Sequence, residues 1–166
     1  MIRRLAFGLL SALCLLASHA ARAEGPDPRD IKTITACLQS FDKGIAPQEA
    51  YEACVRKIAS PCMNDDEDGV PPAQQIECFN REQAVWDKIL NDSYKTMMDG
   101  LEPEQQQKLR AMQRSWIQTR DLSCAFYYDY FQGSMANPMM ASCDNRETAR
   151  RAIYLRIFAQ DMSPRK

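Results

Sequence analysis

The sequence predicts an all-α fold: a small helical bundle of three main helices, preceded by an N-terminal helical hairpin and stapled by three disulfides. Three observations carry that expectation. Apolar residues recur at steps of three, four and seven over long stretches, the period of one helix face. No alternating apolar run bounded by hairpin signals interrupts them, so no sheet is predicted. Six cysteines follow an N-terminal leader, and an even number in an exported chain argues for disulfides.

The leader comes first. Arg3 and Arg4 form a charged start, Leu5 to Ala17 a short apolar run, and Ala21-Arg22-Ala23 a small-x-small cleavage pattern. That run falls short of the roughly 20 residues a bilayer span needs. Residues 1–23 are therefore expected to be a signal peptide, and the product to be periplasmic or secreted. Cys14 lies at a depth where lipoproteins are acylated. Leu13 stands where that processing wants a small residue, so cleavage after Ala23 is preferred and no membrane anchor is expected in the mature chain.

Cleavage changes the chemistry at hand. The mature chain, Glu24 to Lys166, keeps 18 of 21 Lys and Arg and all 22 Asp and Glu, a formal charge of −4. The only histidine, His19, leaves with the leader. Without it there is no His-assisted nucleophile and no His-containing metal site. The acidic balance disfavours nucleic acid, whose binding rests on neutralising phosphates, and favours basic partners. A non-enzymatic protein without a cofactor or metal is the expectation.

Residues 24–72 read as a Cys-rich helical extension and 73–162 as the main helical domain. Two short helices are expected near Arg29 to Phe41 and Pro47 to Ala59, with Gly44 as a stop and Pro47 as an early helical residue. The acidic loop Asn64-Asp65-Asp66-Glu67-Asp68-Gly69 follows and ends at Pro71-Pro72. A long helix from about Ala73 to Met98 presents Phe79, Trp86, Leu90, Tyr94, Met97 and Leu101 at steps of 7, 4, 4, 3 and 4. Asp99-Gly100 ends it, and Pro103 opens a helix reaching about Tyr130, with Leu109, Met112, Trp116, Arg120, Cys124 and Tyr127 in register. Beyond a loop from Gly133 to Pro138, the last helix shows Thr148, Arg151, Leu155, Phe158 and Met162.

The cysteines allow 15 connectivities. Cys37 and Cys54 lie nearly symmetrically about the Lys43–Pro47 turn, Cys62 and Cys78 bracket the acidic loop, and Cys124 and Cys143 bracket Gly133–Pro138. Sequential pairing, 37–54, 62–78 and 124–143, is predicted. Loops of this size each stabilise by about 3 kcal/mol on a chain-entropy argument. No Cys-x-x-Cys occurs, so the cysteines read as structural.

Several polar residues fall on apolar faces. Gln113, Trp116, Arg120 and Cys124 share one helix face, Thr148 and Arg151 sit on the stripe of the last helix, and Asp87 and Asn91 flank Leu90. An arginine facing a core must find a carboxylate or carbonyls. Asp87 is a natural partner for Arg120 or Arg151, and Asp121 is another. An interhelical network that sets register is preferred to a ligand site.

These residues carry a resemblance. Cys78, Glu82, Trp86-Asp87, Leu90-Asn91 and Tyr94 come first. Next stand Leu109, Gln113, Trp116, Arg120-Asp121 and Cys124, then Gly133-Ser134, Pro138-Met139, Cys143, Thr148, Arg151 and Leu155. Together they resemble the LprI-type lysozyme inhibitor domain family over about Cys78 to Asp161. Gln113-x-x-Trp116-x-x-x-Arg120-Asp121-x-x-Cys124 is the most specific piece. The resemblance implies a helical, disulfide-linked envelope protein, pairing of Cys124 with Cys143, and a lysozyme or related muramidase as protein partner.

The implied mechanism is occlusion of the muramidase cleft by a rigid loop. Gly133 to Met140, pinned by the 124–143 bond, is one candidate, with Ser134, Met135, Asn137 and Met139 as contact residues. Asp65, Asp66 and Asp68, the densest negative charge, are the other. An envelope interaction module without inhibitory activity is the alternative reading. Asn64-x-Asp66-x-Asp68-Gly69 begins like a calcium loop, but Gln75 replaces the closing glutamate and Pro71-Pro72 interrupts it. Met135, Met139 and Met140 carry soft thioethers, and packing is preferred to copper binding.

Overall fold

The computed structural model describes residues 25–41, 47–63 and 69–162. The leader, most of the Lys43–Pro47 turn and the acidic segment Asn64–Asp68 lie outside the described residues. The fold is all-α: α1 Pro28–Gln39, α2 Pro47–Cys54, α3 Ala59–Cys62, α4 Pro72–Gly100, α5 Pro103–Phe131 and α6 Ala136–Met162. Three disulfides join Cys37 to Cys54, Cys62 to Cys78 and Cys124 to Cys143, the sequential pairing expected from spacing.

Local chemistry sets the ends. Asp27 caps α1, its carboxylate accepting the Arg29 N–H at 2.8 Å, and Pro28 occupies the first turn where no N–H is missed. The α4–α5 corner is closed from both sides. Gln106 Nε2 donates to the carbonyls of Met98 and Leu101 at 2.9 Å each, and Glu102 with Gln105 forms a capping box. That two-residue connection turns α5 back antiparallel to α4.

α6 then returns parallel to α4 and lies between α4 and α5. Glu82 meets Asn145 near the start of the α4–α6 seam, and Gly100 faces Met162 near its end. The central position explains the composition of α6. Ala136, Ala141, Ala149, Ala152 and Ala159 are buried together with Asn145, Thr148, Arg151, Ile153 and Leu155, so the helix is covered on several sides. Small residues let the neighbouring helices approach closely. Trp86, Val85 and Leu90 of α4, Ile34 and Leu38 of α1, Cys54 of α2 and Leu155 form one core with them. Phe79, Ala59 and Ala141 form a satellite cluster.

α5 differs. Across its 29 residues only Leu109 and Cys124 are buried. It covers one side of α6, with Trp116, Arg120 and Tyr127 half-buried at the seam.

Three local expectations change. α2 ends at Cys54, not near Ala59, because four residues of turn follow, with Arg56 at φ +72°. The cause is Glu82, fully buried on α4. Its carboxylate accepts the backbone N–H groups of Arg56, Ile58 and Ala59 at 2.6 to 2.9 Å, plus Trp86 Nε1 at 3.0 Å and Asn145 Nδ2 at 3.2 Å. A continuous helix could not present three N–H groups to one side chain. α6 begins at Ala136, so the connection from α5 is only residues 132–135 and Pro138 lies inside the helix. Pro138 is its third residue, where the N–H has no intrahelical acceptor to lose. Finally, Phe158 and Met162 are exposed, since the α6 seams run through its alanines.

Candidate functional site

Two regions of the α5–α6 layer carry chemistry. The first is the seam itself. The indole of Trp116 lies beneath two guanidinium groups, Arg120 at 5.0 Å and Arg151 at 5.6 Å from the ring centre. Arg120 forks onto Asp121 at 2.9 and 2.7 Å, reaches Thr148 Oγ1 at 3.5 Å, and stands 4.0 Å from Asp144. Arg151 Nε donates to Gln113 Oε1 at 2.9 Å. Gln113, Trp116, Arg120, Asp121, Thr148 and Arg151 thus form one cluster.

Asp87 does not join it. It accepts from Asn91 Nδ2 at 2.9 Å on the exposed side of α4, away from both arginines. The reason is architectural: α6 separates the outer face of α4 from α5. Tyr94 packs against the core as a partly buried ring.

Electrostatics at the seam reflect partial burial. Desolvation pulls the Arg151 guanidinium below its usual value, opposed by Tyr154. Burial pushes the Asp144 carboxyl up against the pull of Arg120, and Asp121 adds to the rise. Arg146 extends from α6 toward the Tyr127 hydroxyl at 3.4 Å.

The second region is the corner where α5 meets α6. Gln132 and Gly133 take φ of +42° and +111°, which turns the chain within four residues. The Cys124–Cys143 bond clamps the two helices behind it. Ser134, Met135 and Asn137 are exposed there, and Met139 is half-buried. The other proposed contact residues, Asp65, Asp66 and Asp68, lie outside the described residues.

The corner also carries residues that periodicity did not single out. Leu122, Phe126 and Tyr130 are 68, 61 and 70 % exposed at successive i, i+4 positions, and Tyr128, Phe131 and Met135 are exposed beside them. The rings order one another: Tyr130 meets Phe131 edge-on at 5.1 Å, and Tyr127 stacks on Phe131 at 5.8 Å. The signal was available in Phe126-Tyr127-Tyr128-Asp129-Tyr130-Phe131. Aromatic residues at consecutive helical positions cannot all face one core.

Among the described residues no group of three His, Cys, Asp or Glu is placed to hold a metal ion. No described helix is long and apolar enough to cross a membrane.

Residues 62–155 match the family model described as lysozyme inhibitor LprI. Neither the comparison with curated proteins nor that with solved structures gives a match.

Proposed function

The chain belongs to the LprI lysozyme inhibitor family, and from that premise we propose that it is an exported, non-enzymatic inhibitor that blocks a muramidase with the α5–α6 corner. The exposed aromatic residues of that corner carry the reading. Tyr, Phe and Met are enriched where protein partners meet and are unusual as a cluster on a free surface. Here they stand on the last turns of α5 and in its connection to α6, which a disulfide ties to α6, so little conformational freedom remains to be lost on binding.

Lysozymes cleave glycan strands with two carboxylates in a cleft. A rigid corner bearing Ser134, Met135 and Asn137 fills such a cleft sterically and excludes substrate. Met139 supports it from the first turn of α6. The −4 charge of the mature chain, with Asp65, Asp66 and Asp68 its densest part, speeds encounter with a basic enzyme. In this reading residues 1–23 are a signal peptide and the site of action is the periplasm or the outside of the cell. Residues 24–72 extend the 73–162 inhibitor domain.

The test is titration of the oxidised mature chain into a lysozyme assay on cell-wall substrate, with the variant Phe126→Ser/Tyr130→Ser beside it. Stoichiometric inhibition by the parent, weakened about tenfold or more in the variant at unchanged melting temperature, is expected. Absence of inhibition across lysozyme classes would move the function to another envelope partner.

A further inference from the structure

Beside the aromatic corner, the α5–α6 seam opens into a cleft of about 410 Å³ bordered by Trp116, Arg120, Tyr127 and Arg146. A second hollow of about 230 Å³ adjoins it, sharing Trp116 and Glu147 and adding Arg150 and Arg151. We propose that the cleft binds a small hydroxylated organic anion, a sugar carboxylate or sugar phosphate, independently of any lysozyme contact.

The arginines argue for an anion. Elsewhere, Arg29, Arg81, Lys88, Lys95 and Lys108 each hold a carboxylate within 2.9 Å, and Lys32, Arg56, Lys57 and Arg114, which hold none among the described residues, stand exposed to water. At the seam, Arg146 and Arg151 have no described carboxylate within 4.0 Å. Arg146 meets only a phenol hydroxyl at 3.4 Å, long for a charge-assisted bond. Arg151, which lines the adjoining hollow, is 8 % exposed, yet its Nη2 has no hydrogen-bond partner among the described residues. Burying the Arg151 guanidinium without a counter-ion is costly, and an anion held between it and half-buried Arg146 offsets that cost. Glu147 on the rim is engaged by Arg150, and Asp121 and Asp144 both stand against Arg120, so none of the three pairs with Arg146 or Arg151.

The walls argue for a hydroxylated ligand of sugar size. Thr119, Ser123 and Tyr127 bring hydroxyl groups to the cleft. Two guanidinium groups already lie over the Trp116 ring, so recognition falls to the Arg146 fork and these hydroxyls instead of stacking. A guanidinium fork matches carboxylate and phosphate oxygens alike, and the volume lies in the range of small-molecule sites, about 300–1,000 Å³.

Glucuronate, glucose 6-phosphate and glucose separate the possibilities, titrated into the oxidised mature chain and followed by amide and arginine Nε resonances. Saturable shifts are expected from at least one of the two anions and none from glucose, confined to residues 116–127 and 143–151. The tighter anion identifies the oxyanion. Arg146→Gln should weaken that binding by about tenfold, the loss of one charge-assisted contact. If that variant lacks the parent's near-ultraviolet dichroism, Arg146→Lys, which keeps charge but not the fork, is read in its place. No saturable shift from either anion at millimolar concentration would overturn the proposal. So would an equal response to glucose, or binding that the Arg146 variant leaves unchanged.

Discussion

Replacing Glu82 with glutamine changes one atom and is expected to be among the most damaging substitutions in the chain. Its Oε2 accepts from Ile58 N and Ala59 N, and its Oε1 from Arg56 N, Trp86 Nε1 and Asn145 Nδ2. Glutamine keeps one acceptor oxygen and puts an NH2 group in place of the other. In the less costly orientation the NH2 faces Ile58 and Ala59 and leaves two buried N–H groups unsatisfied. Each such group costs about 1–3 kcal/mol, so the expected loss is about 4 kcal/mol. That is a large share of the ~5–15 kcal/mol by which domains are stable. At this size it corresponds to a fall in melting temperature of roughly 12 °C or more. Urea melts of oxidised Glu82→Gln and parent measure it, with Glu104→Gln, an exposed i, i+4 pair with Lys108, as a control expected within about 0.5 kcal/mol. A loss below about 1 kcal/mol for Glu82→Gln would refute the reasoning, because water would then be reaching the donors that Glu82 satisfies.

Three further outcomes follow from the same structure. Cys124→Ser/Cys143→Ser should cost about 3 kcal/mol, and amide exchange should rise in 124–131 well before it rises in α4. Equal acceleration in both helices would contradict the single-sided attachment of α5. At Arg56, whose φ is +72°, glycine should leave the protein about 1 kcal/mol more stable than alanine does, since only alanine meets the left-handed penalty. Paired denaturation curves decide it. The Asp27 carboxyl is held at about 2, first by the Arg29 side chain and then by its backbone N–H. A depressed carboxylate contributes stability that is complete above its unfolded value of 3.8 and is lost as pH falls toward 2. The gap between parent and Asp27→Ala should therefore close across that window, and urea midpoints that stay parallel from pH 7 to pH 2 would contradict it.

Punctuation made the long helices legible. Pro72, Gly100 and Pro103 stand at the ends where the sequence places them, and the Trp86–Leu90–Met97 stripe faces the core as its spacing requires. Cysteine spacing was legible for the same reason: each pair brackets one local connection. The rest depended on contacts between distant residues. That Glu82 breaks α2 cannot be read from residues 47–62, because the acceptor lies at least 20 positions away. The stripe through Phe158 and Met162 misleads because a helix covered by two neighbours has no single apolar face. Pro138 reads as a loop residue until the first turn of α6 supplies a place for it. Of the seam cluster, the helix face shared by Gln113, Trp116 and Arg120 was visible in advance. Its separation from Asp87 was not, since that depends on which helix lies in the middle.

The three disulfides span sequence separations of 17, 16 and 19, joining the six cysteines in consecutive pairs. A polypeptide delivered N-terminus first to an oxidising compartment presents its thiols in that same order. Core assembly must wait for Leu155 and Ala159, which complete the packing around Trp86. Oxidation of the first two pairs need not wait. In the export proposed above, each thiol would meet its native partner as the nearest newcomer, so bond formation during delivery would proceed without reshuffling. The wiring is thus suited to a chain that acquires its covalent frame before its tertiary structure.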